Sequence, residues 1–219
     1  MLNVRSKEDF TTRARIRDAA LARFGQDGIA KSTLRAVAAD AGVSAPLVVH
    51  HFGSKAGLME ACDQFVLELV QHKFTITEGA SPEAPPISAL GDLLRQVGPM
   101  QRYLAQAFRE NTPGAARIFE IVVDRTEDYL DRMQENGEVV PSDDNRARAA
   151  TMITWHLGFV VLGDHLAAAI GEKSIYDLEA QMRAGRQIID IYSRGLFTDP
   201  RWVGVTERIV EDIRKDGER

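Results

Sequence analysis

Residues 32–58 read STLRAVAADAGVSAPLVVHHFGSKAGL, with Gly42 between two short runs of mainly apolar residues. Ser32 is predicted to cap a short helix whose apolar residues recur three and four positions apart. Gly42 is expected to end that helix, because glycine accepts the positive φ of a sharp turn. Ser44 is predicted to cap a second short helix, with Pro46 in its first turn, where proline costs no hydrogen bond. The stretch therefore predicts a helix-turn-helix unit.

The second helix of this unit has an inner and an outer face. Val43 and Val48 are predicted to fill the wedge between the two helices, and Ala38 is small enough to let them approach. The side chains left on the outside are those of Ala45, Leu47, Val49 and His50. The major groove of B-DNA, about 12 Å wide, admits such a helix. The alternative interpretation is an ordinary hairpin of two helices in a helical protein.

Helical spacing continues on both sides of the unit. Upstream, apolar residues recur every four positions from Ile16 to Phe24, and Gly25 and Gly28 are predicted to end this first helix. Downstream, Ser54 is expected to cap a fourth helix that runs to about residue 74. After a linker over residues 77–86, further helices are predicted at about 87–97, 99–110, 113–135, 143–170, 174–196 and 199–215. The sequence predicts an all-α chain.

Composition limits the classes of protein to consider. The chain has 219 residues and a formal net charge of −5, with 44% hydrophobic and 27% charged residues, which is typical of a globular protein. A single cysteine, Cys62, excludes a scaffold held by intrachain disulfides. The N-terminal residues lack the apolar segment of a signal peptide, and the longest uncharged apolar run, residues 149–163, is shorter than the ~20 residues of a membrane helix. We expect a soluble cytoplasmic protein.

Charge is distributed unevenly along the chain. Residues 1–55 hold nine basic and five acidic residues, whereas residues 56–219 hold 18 basic and 27 acidic ones. A basic segment on an acidic protein indicates contact with a polyanion such as DNA. Chance, or a solvated surface, is the alternative explanation.

Residues 12–58 resemble the DNA-binding domain of the TetR (tetracycline-repressor) family. IRDAALARFGQDGI is similar to the first helix of that domain, STLRAVAADAGVS to its second helix and turn, and LVVHHFGSKAGL to its recognition helix and the start of the fourth helix. The resemblance covers about a fifth of the chain. It implies a three-helix DNA-binding domain at residues 1–55 and a helical ligand-binding and dimerisation domain at residues 56–219.

The resemblance implies roles for individual residues. Lys55 matches a phosphate contact, Ser32 and Thr33 match contacts to the DNA backbone, and Arg35 matches a position that reaches a base. The recognition surface is expected to include Ser44, Ala45, Leu47, Val49, His50 and His51.

Two positions depart from the family pattern. The family usually has tyrosine where this chain has Val49, and often threonine or serine where it has Leu47. Both side chains are limited to apolar contacts, for example with a thymine methyl group. Arg35 and His50 remain as the expected polar readers of bases.

From Met100 onward the chain carries aromatic and methionine residues at helical spacing, a pattern that is most often found in an ordinary hydrophobic core. The resemblance favours a ligand cavity between these helices, with Tyr103, Arg125 and His156 as polar anchors. The candidate ligand-binding residues are Met100, Tyr103, Leu104, Phe108, Phe119, Arg125, Met152, Trp155 and His156. Small residues within 149–170 permit close helix approach, and the resemblance implies that this segment, together with 174–196, pairs with its copy as a four-helix homodimer interface.

Metal binding and catalysis have little support in the sequence. Adjacent histidines such as His50 and His51 point about 100° apart on a helix and chelate poorly. The phosphate-binding glycine loops, the nucleophile elbow and the zinc-protease motif do not occur, and Cys62 is interpreted as a small helical filler. We therefore expect no enzyme activity, no cofactor and no metal.

Together these patterns predict a transcriptional regulator, a repressor that binds a near-palindromic DNA operator as a homodimer and is released by a small-molecule effector. The alternatives are a helical small-molecule-binding or scaffolding protein without specific DNA binding, and an enzyme on the same helical body. Neither alternative requires the basic segment at residues 1–55.

Overall fold

The structure, a computed structural model, describes residues 7–78 and 87–196 together with Lys215. All regular secondary structure within these residues is helical, which confirms the all-α prediction for them. The linker after residue 78, the helix predicted at 199–215 apart from Lys215, and Trp202 lie outside the described residues. The helices are α1 Lys7–Asp27, α2 Leu34–Asp40, α3 Ala45–Phe52, α4 Lys55–Glu78, α5 Ile87–Arg109, α6 Pro113–Glu135, α7 Asn145–Val161, α8 Gly163–Ile170 and α9 Leu178–Arg194.

Two helix boundaries predicted after residue 87 are wrong. Helix α5 continues through Pro99, although proline removes one backbone hydrogen bond, and the same helix packs along α1. The single helix predicted at 143–170 is broken into α7 and α8, which meet at an angle of 77°. At the break, a Cβ on Gly163 would lie 2.5 Å from the side chain of Ile175, so this position has room only for glycine.

Helices α2, α3 and α4 are each preceded by a residue whose side-chain hydroxyl accepts a hydrogen bond from a backbone N–H group in the first turn. Thr33, and not Ser32 as predicted, caps α2, its Oγ1 accepting a hydrogen bond of 3.2 Å from the Ala36 N–H. The predicted caps Ser44 and Ser54 are confirmed, since their Oγ atoms accept from the N–H groups three residues later at 3.4 and 3.1 Å. The starts of α2, α3 and α4 are thus determined locally.

Gly25 does not end α1, contrary to the sequence prediction; the helix runs on to Asp27, and Gly28 follows with a φ of +87°. A Cβ on Gly25 would lie 2.7 Å from the Cβ of Arg102 on α5. The glycine therefore allows α1 and α5 to approach closely, and this contact joins the first helix to the larger helical body.

One hydrophobic cluster extends from α1 to α6. It includes the fully buried Ile16 and Phe24 of α1, Val48 of α3, Leu58 of α4 and Tyr103 of α5. The helix-turn-helix unit and the start of the larger helical body therefore share a continuous core.

Two smaller clusters complete the described core. One lies between α6 and α7, where Arg146 forms ion pairs with Glu120, Asp124 and Glu127 beside the buried apolar residues. The other joins α8, the 171–177 segment and α9 around Ile175. Among the described residues no single helix has the length and apolar content to cross a membrane, although α7 and α8 would satisfy both criteria if their bend were ignored.

Candidate functional site

The helix-turn-helix unit has the predicted geometry. Gly42 adopts a φ of +63°, and the N–H of Val43 donates a hydrogen bond of 2.9 Å to the carbonyl of Ala38. Val48 is completely buried and Val43 packs partly buried against the same core. The turn thus sets α3 across α2 with its apolar face inward and its other face available to a ligand.

Arg23 braces this unit against α1. Its Nε and Nη2 donate to the two carboxylate oxygens of Asp40 at 2.7 Å each, and its Nη1 donates to Asp27 at 2.7 Å. The guanidinium holds the pKa of Asp40 below its ordinary value through these hydrogen bonds. The end of α2 is therefore held to the end of α1 by a bidentate charged contact.

The predicted recognition surface is displayed on the outer side of α3. Val49 is 46% exposed, His50 is exposed, and Leu47 and Ala45 are partly exposed. Ser44 at the start of the helix is exposed and His51 is half-buried. The remaining candidates flank this face: Thr33 and Arg35 are exposed at the start of α2, and Lys55 is half-buried at the start of α4.

Ser32 and Lys55 have partners within the protein. Ser32 is only 4% exposed, and its hydroxyl donates to the carbonyl of Gly28 at 2.7 Å, so a DNA contact through that hydroxyl would require this bond to break. The Nζ of Lys55 donates to the carbonyl of Ala30 at 3.1 Å, which holds the ammonium beside the α1–α2 turn. Two of its three protons remain for a phosphate.

The nine candidate ligand-binding residues are not brought together. Tyr103 and Leu104 are buried in the main core, with Met100 and Phe108 packed against it. Phe119 and Met152 pack on the cluster between α6 and α7, and Arg125 is exposed. Trp155 is 47% exposed, and its ring stacks on Tyr192 with the centroids 6.0 Å apart. His156 is the member of this group that lines a cavity.

That cavity, of about 480 Å³, lies between α5, α7, the 171–177 segment and α9. Its surface is mainly apolar, and the amide of Gln181 donates to Gln101 across it at 3.1 Å. The lining residues are Gln101, His156, Phe159, Val160, Ile175, Tyr176, Gln181, Met182, Gly185, Arg186, Ile188 and Ile189.

Helix α9 lies within the segment 174–196 that was predicted to form the dimer interface, but its contribution to this cavity was not predicted from the sequence. The helix is apolar on two faces: Ala180, Ala184 and Ile188 are buried, whereas a second set is exposed. We call that second set the α9 stripe; it consists of Leu178, Met182, Ile189, Tyr192 and, just after the helix, Leu196. The residues of the α9 stripe recur at intervals of three, four and seven positions, a spacing that indicates a second packed face on the helix.

The described residues contain no group of three or more His, Cys, Asp or Glu side chains placed to hold a metal ion. Cys62 is buried in the main core, and burial raises the pKa of its thiol. The thiol is therefore kept protonated, unlike a reactive nucleophile.

Known families match both halves of the chain. The model of the bacterial regulatory proteins of the tetR family matches residues 16–62, and that of the tetracyclin repressor-like C-terminal domain matches residues 95–198. The chain is similar over 198 residues, at 35% identity, to the HTH-type transcriptional regulatory protein RaaS of Mycobacterium tuberculosis. This similarity covers 87% of the chain and 89% of RaaS.

Solved structures share the fold. A TetR-family transcriptional regulator from Rhodococcus sp. matches with a TM-score of 0.55 at 23% identity, covering 70% of this chain and 87% of that protein. A Clostridium perfringens protein described as a fatty acid metabolism regulator matches with a TM-score of 0.60 at 16% identity, covering 84% of this chain and all of that protein.

These similarities confirm the resemblance predicted from residues 12–58 and disfavour a scaffolding protein without specific DNA binding. The geometry agrees, because α3 presents an exposed face on a braced helix-turn-helix unit. The chain belongs to the tetR family of bacterial regulatory proteins and is a DNA-binding transcriptional regulator.

Proposed function

We propose that this regulator is a cytoplasmic repressor, that it binds a near-palindromic operator as a homodimer, and that a small-molecule effector releases it. The DNA contacts belong to residues 1–55 and the effector and dimer contacts to residues 56–219. One observation carries the proposal: α5 lines the cavity through Gln101 and also packs along α1 beneath the helix-turn-helix unit. The proposed role is regulatory and not enzymatic, in keeping with the similarity to RaaS, an HTH-type transcriptional regulatory protein.

On DNA, α3 lies in the major groove. Leu47 and Val49 make apolar contacts to base edges, while His50 and Arg35 supply the polar ones. Thr33 contacts the DNA backbone, whereas Ser32 supports the turn through its internal hydrogen bond to Gly28.

The α9 stripe is the surface that pairs two copies. Met182 and Ile189 are each 62% exposed, and an apolar row of this length is unusual on a monomer. Trp155 of α7, which is 47% exposed and stacks on Tyr192, extends this surface. Pairing through this surface relates two recognition helices by a two-fold axis, which suits half-sites about 34–36 Å apart.

The effector binds in the cavity between α5, α7 and α9. Its lining contains no Asp or Glu among the described residues, whereas Arg186 and His156 are present. A largely apolar molecule that is neutral or carries one negative charge fits this chemistry, and an organic cation does not.

Selection of bound DNA from a random pool tests operator recognition, and fluorescence anisotropy then measures affinity. The apolar anion 1-anilinonaphthalene-8-sulfonate serves as a probe of the cavity. We expect it to bind the wild-type dimer and to compete with the selected operator, because release and cavity occupation are linked.

A space-filling variant supplies the control. Gly185→Leu adds a side chain at the cavity wall, where a Cβ meets no atom within 4 Å. The variant should remain dimeric, keep its operator affinity and lose the response to the probe. If no DNA sequence is enriched, the proposal that the protein is an operator-binding repressor is wrong. If the operator affinity of Gly185→Leu responds to the probe as that of the wild type does, the proposal that the cavity is the effector site is wrong.

A further inference from the structure

Glu110 directly follows α5, yet its carboxylate reaches the turn between α1 and α2. Oε1 accepts a hydrogen bond of 2.7 Å from the N–H of Ile29, and Oε2 accepts one of 2.9 Å from the N–H of Ala30. These groups are about 80 residues apart in the chain. The two N–H groups lie just beyond the end of α1, and a charged acceptor binds them more strongly than a neutral one.

The turn is shaped to receive this carboxylate. Gly28 has a φ of +87°, and a Cβ there would lie 3.2 Å from Oε1 of Glu110. On the other side of the turn, the carbonyl of Ala30 accepts the hydrogen bond from Lys55. Both backbone groups of Ala30 are therefore held, since Glu110 accepts a hydrogen bond from its N–H and Lys55 donates one to its carbonyl. We call the two hydrogen bonds that Glu110 accepts from Ile29 and Ala30 the Glu110 grip.

Residues that contact DNA are adjacent to this grip. Lys55 is the expected phosphate donor, and Thr33, the cap of α2, follows Ala30 by three residues. A movement of the turn away from Glu110 therefore displaces both the ammonium of Lys55 and the start of α2.

The residue before Glu110 connects the end of α5 to a helix that lines the cavity. Arg109, the last residue of α5, donates a hydrogen bond to the carbonyl of Val161 at the end of α7. The cavity residue Val160 is next to Val161, and Gln101, also on the cavity wall, lies about 13 Å along α5 from Glu110. The end of α5 is thus anchored to a cavity helix by one residue and to the DNA-binding unit by the next.

We propose that Glu110 is a positioning residue for operator binding: its carboxylate holds the α1–α2 turn, and with it Lys55 and the start of α2, in the DNA-binding arrangement. The position of the carboxylate in turn depends on the anchor of Arg109 on α7. This inference rests on DNA binding and requires no effector, so its failure is distinguishable from failure of ligand release.

The affinity for the operator distinguishes a positioning role of Glu110 from a simple effect of its negative charge. Removing a negative charge near DNA should strengthen binding if charge alone matters. We expect the reverse: Glu110→Ala weakens affinity for the selected operator by about tenfold, and Glu110→Gln, which keeps one acceptor oxygen, weakens it less. Glu135→Ala removes an exposed carboxylate from the end of α6 and serves as the matched control. Tighter or unchanged binding by Glu110→Ala overturns the proposal.

A double-mutant cycle tests the link to Lys55. If Glu110 acts through the position of that ammonium, Lys55→Ala should cost less affinity in the Glu110→Ala background than in the wild type. Fully additive losses would show that Glu110 does not act through Lys55.

Amide hydrogen exchange in the DNA-free full-length protein tests the grip itself. Glu110→Ala should accelerate exchange at Ile29 and Ala30 while the amides of α6 keep their wild-type rates, which excludes general unfolding. Arg109→Gln should accelerate exchange at the same two amides, although Arg109 contacts neither. Unchanged exchange at Ile29 and Ala30 in Glu110→Ala overturns the grip, and unchanged exchange in Arg109→Gln overturns its dependence on α7.

Discussion

The hydroxyl of Tyr103 on α5 donates a hydrogen bond of 2.7 Å to Oδ1 of Asp63 on α4, and both side chains are buried. The Tyr103 ring also lies 6.2 Å from that of Phe24 on α1. A Cβ on Gly114 would lie 1.9 Å from Oδ2 of Asp63, so α6 approaches the carboxyl group closely. This polar contact joins α4, α5 and α6 at the point where the DNA-binding unit meets the helical body.

Asp63→Asn should alter the pH dependence of stability. Burial raises the pKa of Asp63 above its unfolded value, although the hydrogen bond from Tyr103 opposes the shift. The folded state therefore binds the proton more tightly, and the stability from this proton is lost as pH rises through the folded pKa. Urea unfolding at increasing pH, starting near the ordinary aspartate pKa of about 4, should show the free energy of unfolding of the wild type falling relative to that of Asp63→Asn.

A second variant checks the cause of that pH dependence. Tyr103→Phe removes the hydrogen bond that lowers the pKa of Asp63, so the pKa should rise further and the loss of stability should extend to higher pH. A pH-independent difference between the wild type and Asp63→Asn would show that the carboxyl group does not titrate in this way.

Lys55→Ala should weaken binding to every DNA sequence. Loss of one phosphate contact reduces the slope of log affinity against log salt concentration by about 0.9. The measurement is anisotropy at several salt concentrations, with Lys173→Ala, an exposed lysine before α9, as the control. A change confined to one base position with an unchanged slope would contradict a phosphate contact.

Arg35→Ala should act differently, because the exposed guanidinium at the start of α2 is expected to contact a base. Discrimination should fall by about 1–3 kcal/mol at one base pair per half-site. Competition between the selected operator and its single-base variants measures this effect. Equal loss for all sequences would instead make Arg35 a contact to the DNA backbone.

Ile189→Asp should separate the two copies of the chain, because it places an unpaired carboxylate within the α9 stripe. We expect the dimer dissociation constant to rise at least about tenfold and operator binding to weaken with it. Gln187→Asp puts the same charge on the polar side of α9 and should leave the dimer intact. Sedimentation equilibrium measures both, and an unchanged dimer in Ile189→Asp would locate the interface elsewhere.

Trp155 fluorescence should report assembly. The half-exposed indole stacks on Tyr192 of the α9 stripe, so pairing of two copies should bury it and shift its emission to shorter wavelength. Dilution of a Trp202→Phe variant through the dimer dissociation constant isolates the signal. An emission maximum that does not change on dilution, while sedimentation shows dissociation, would place Trp155 outside the interface.

The helix-turn-helix unit could be predicted from the sequence because its determinants are local. The positive φ of Gly42, the cap at Ser44 and the apolar spacing that buries Val48 all act within a few residues of one another. Local hydrogen bonds and backbone sterics need no knowledge of distant residues. The predicted cap at Ser32 was wrong, because the hydroxyl of Ser32 donates to the carbonyl of Gly28 in the buried turn and the adjacent Thr33 caps α2 instead.

Contacts between distant segments were decided only by the tertiary structure. Glycine at position 25 signals a helix end in the sequence, but here it admits Arg102 of α5. The exposed Trp155 and the buried Tyr103 carry similar sequence signals and differ only in which helix covers them. The grip of Glu110 on Ile29 joins residues whose separation along the chain leaves no local pattern. Such contacts follow from how whole helices pack, and periodicity identifies an apolar face without identifying its partner.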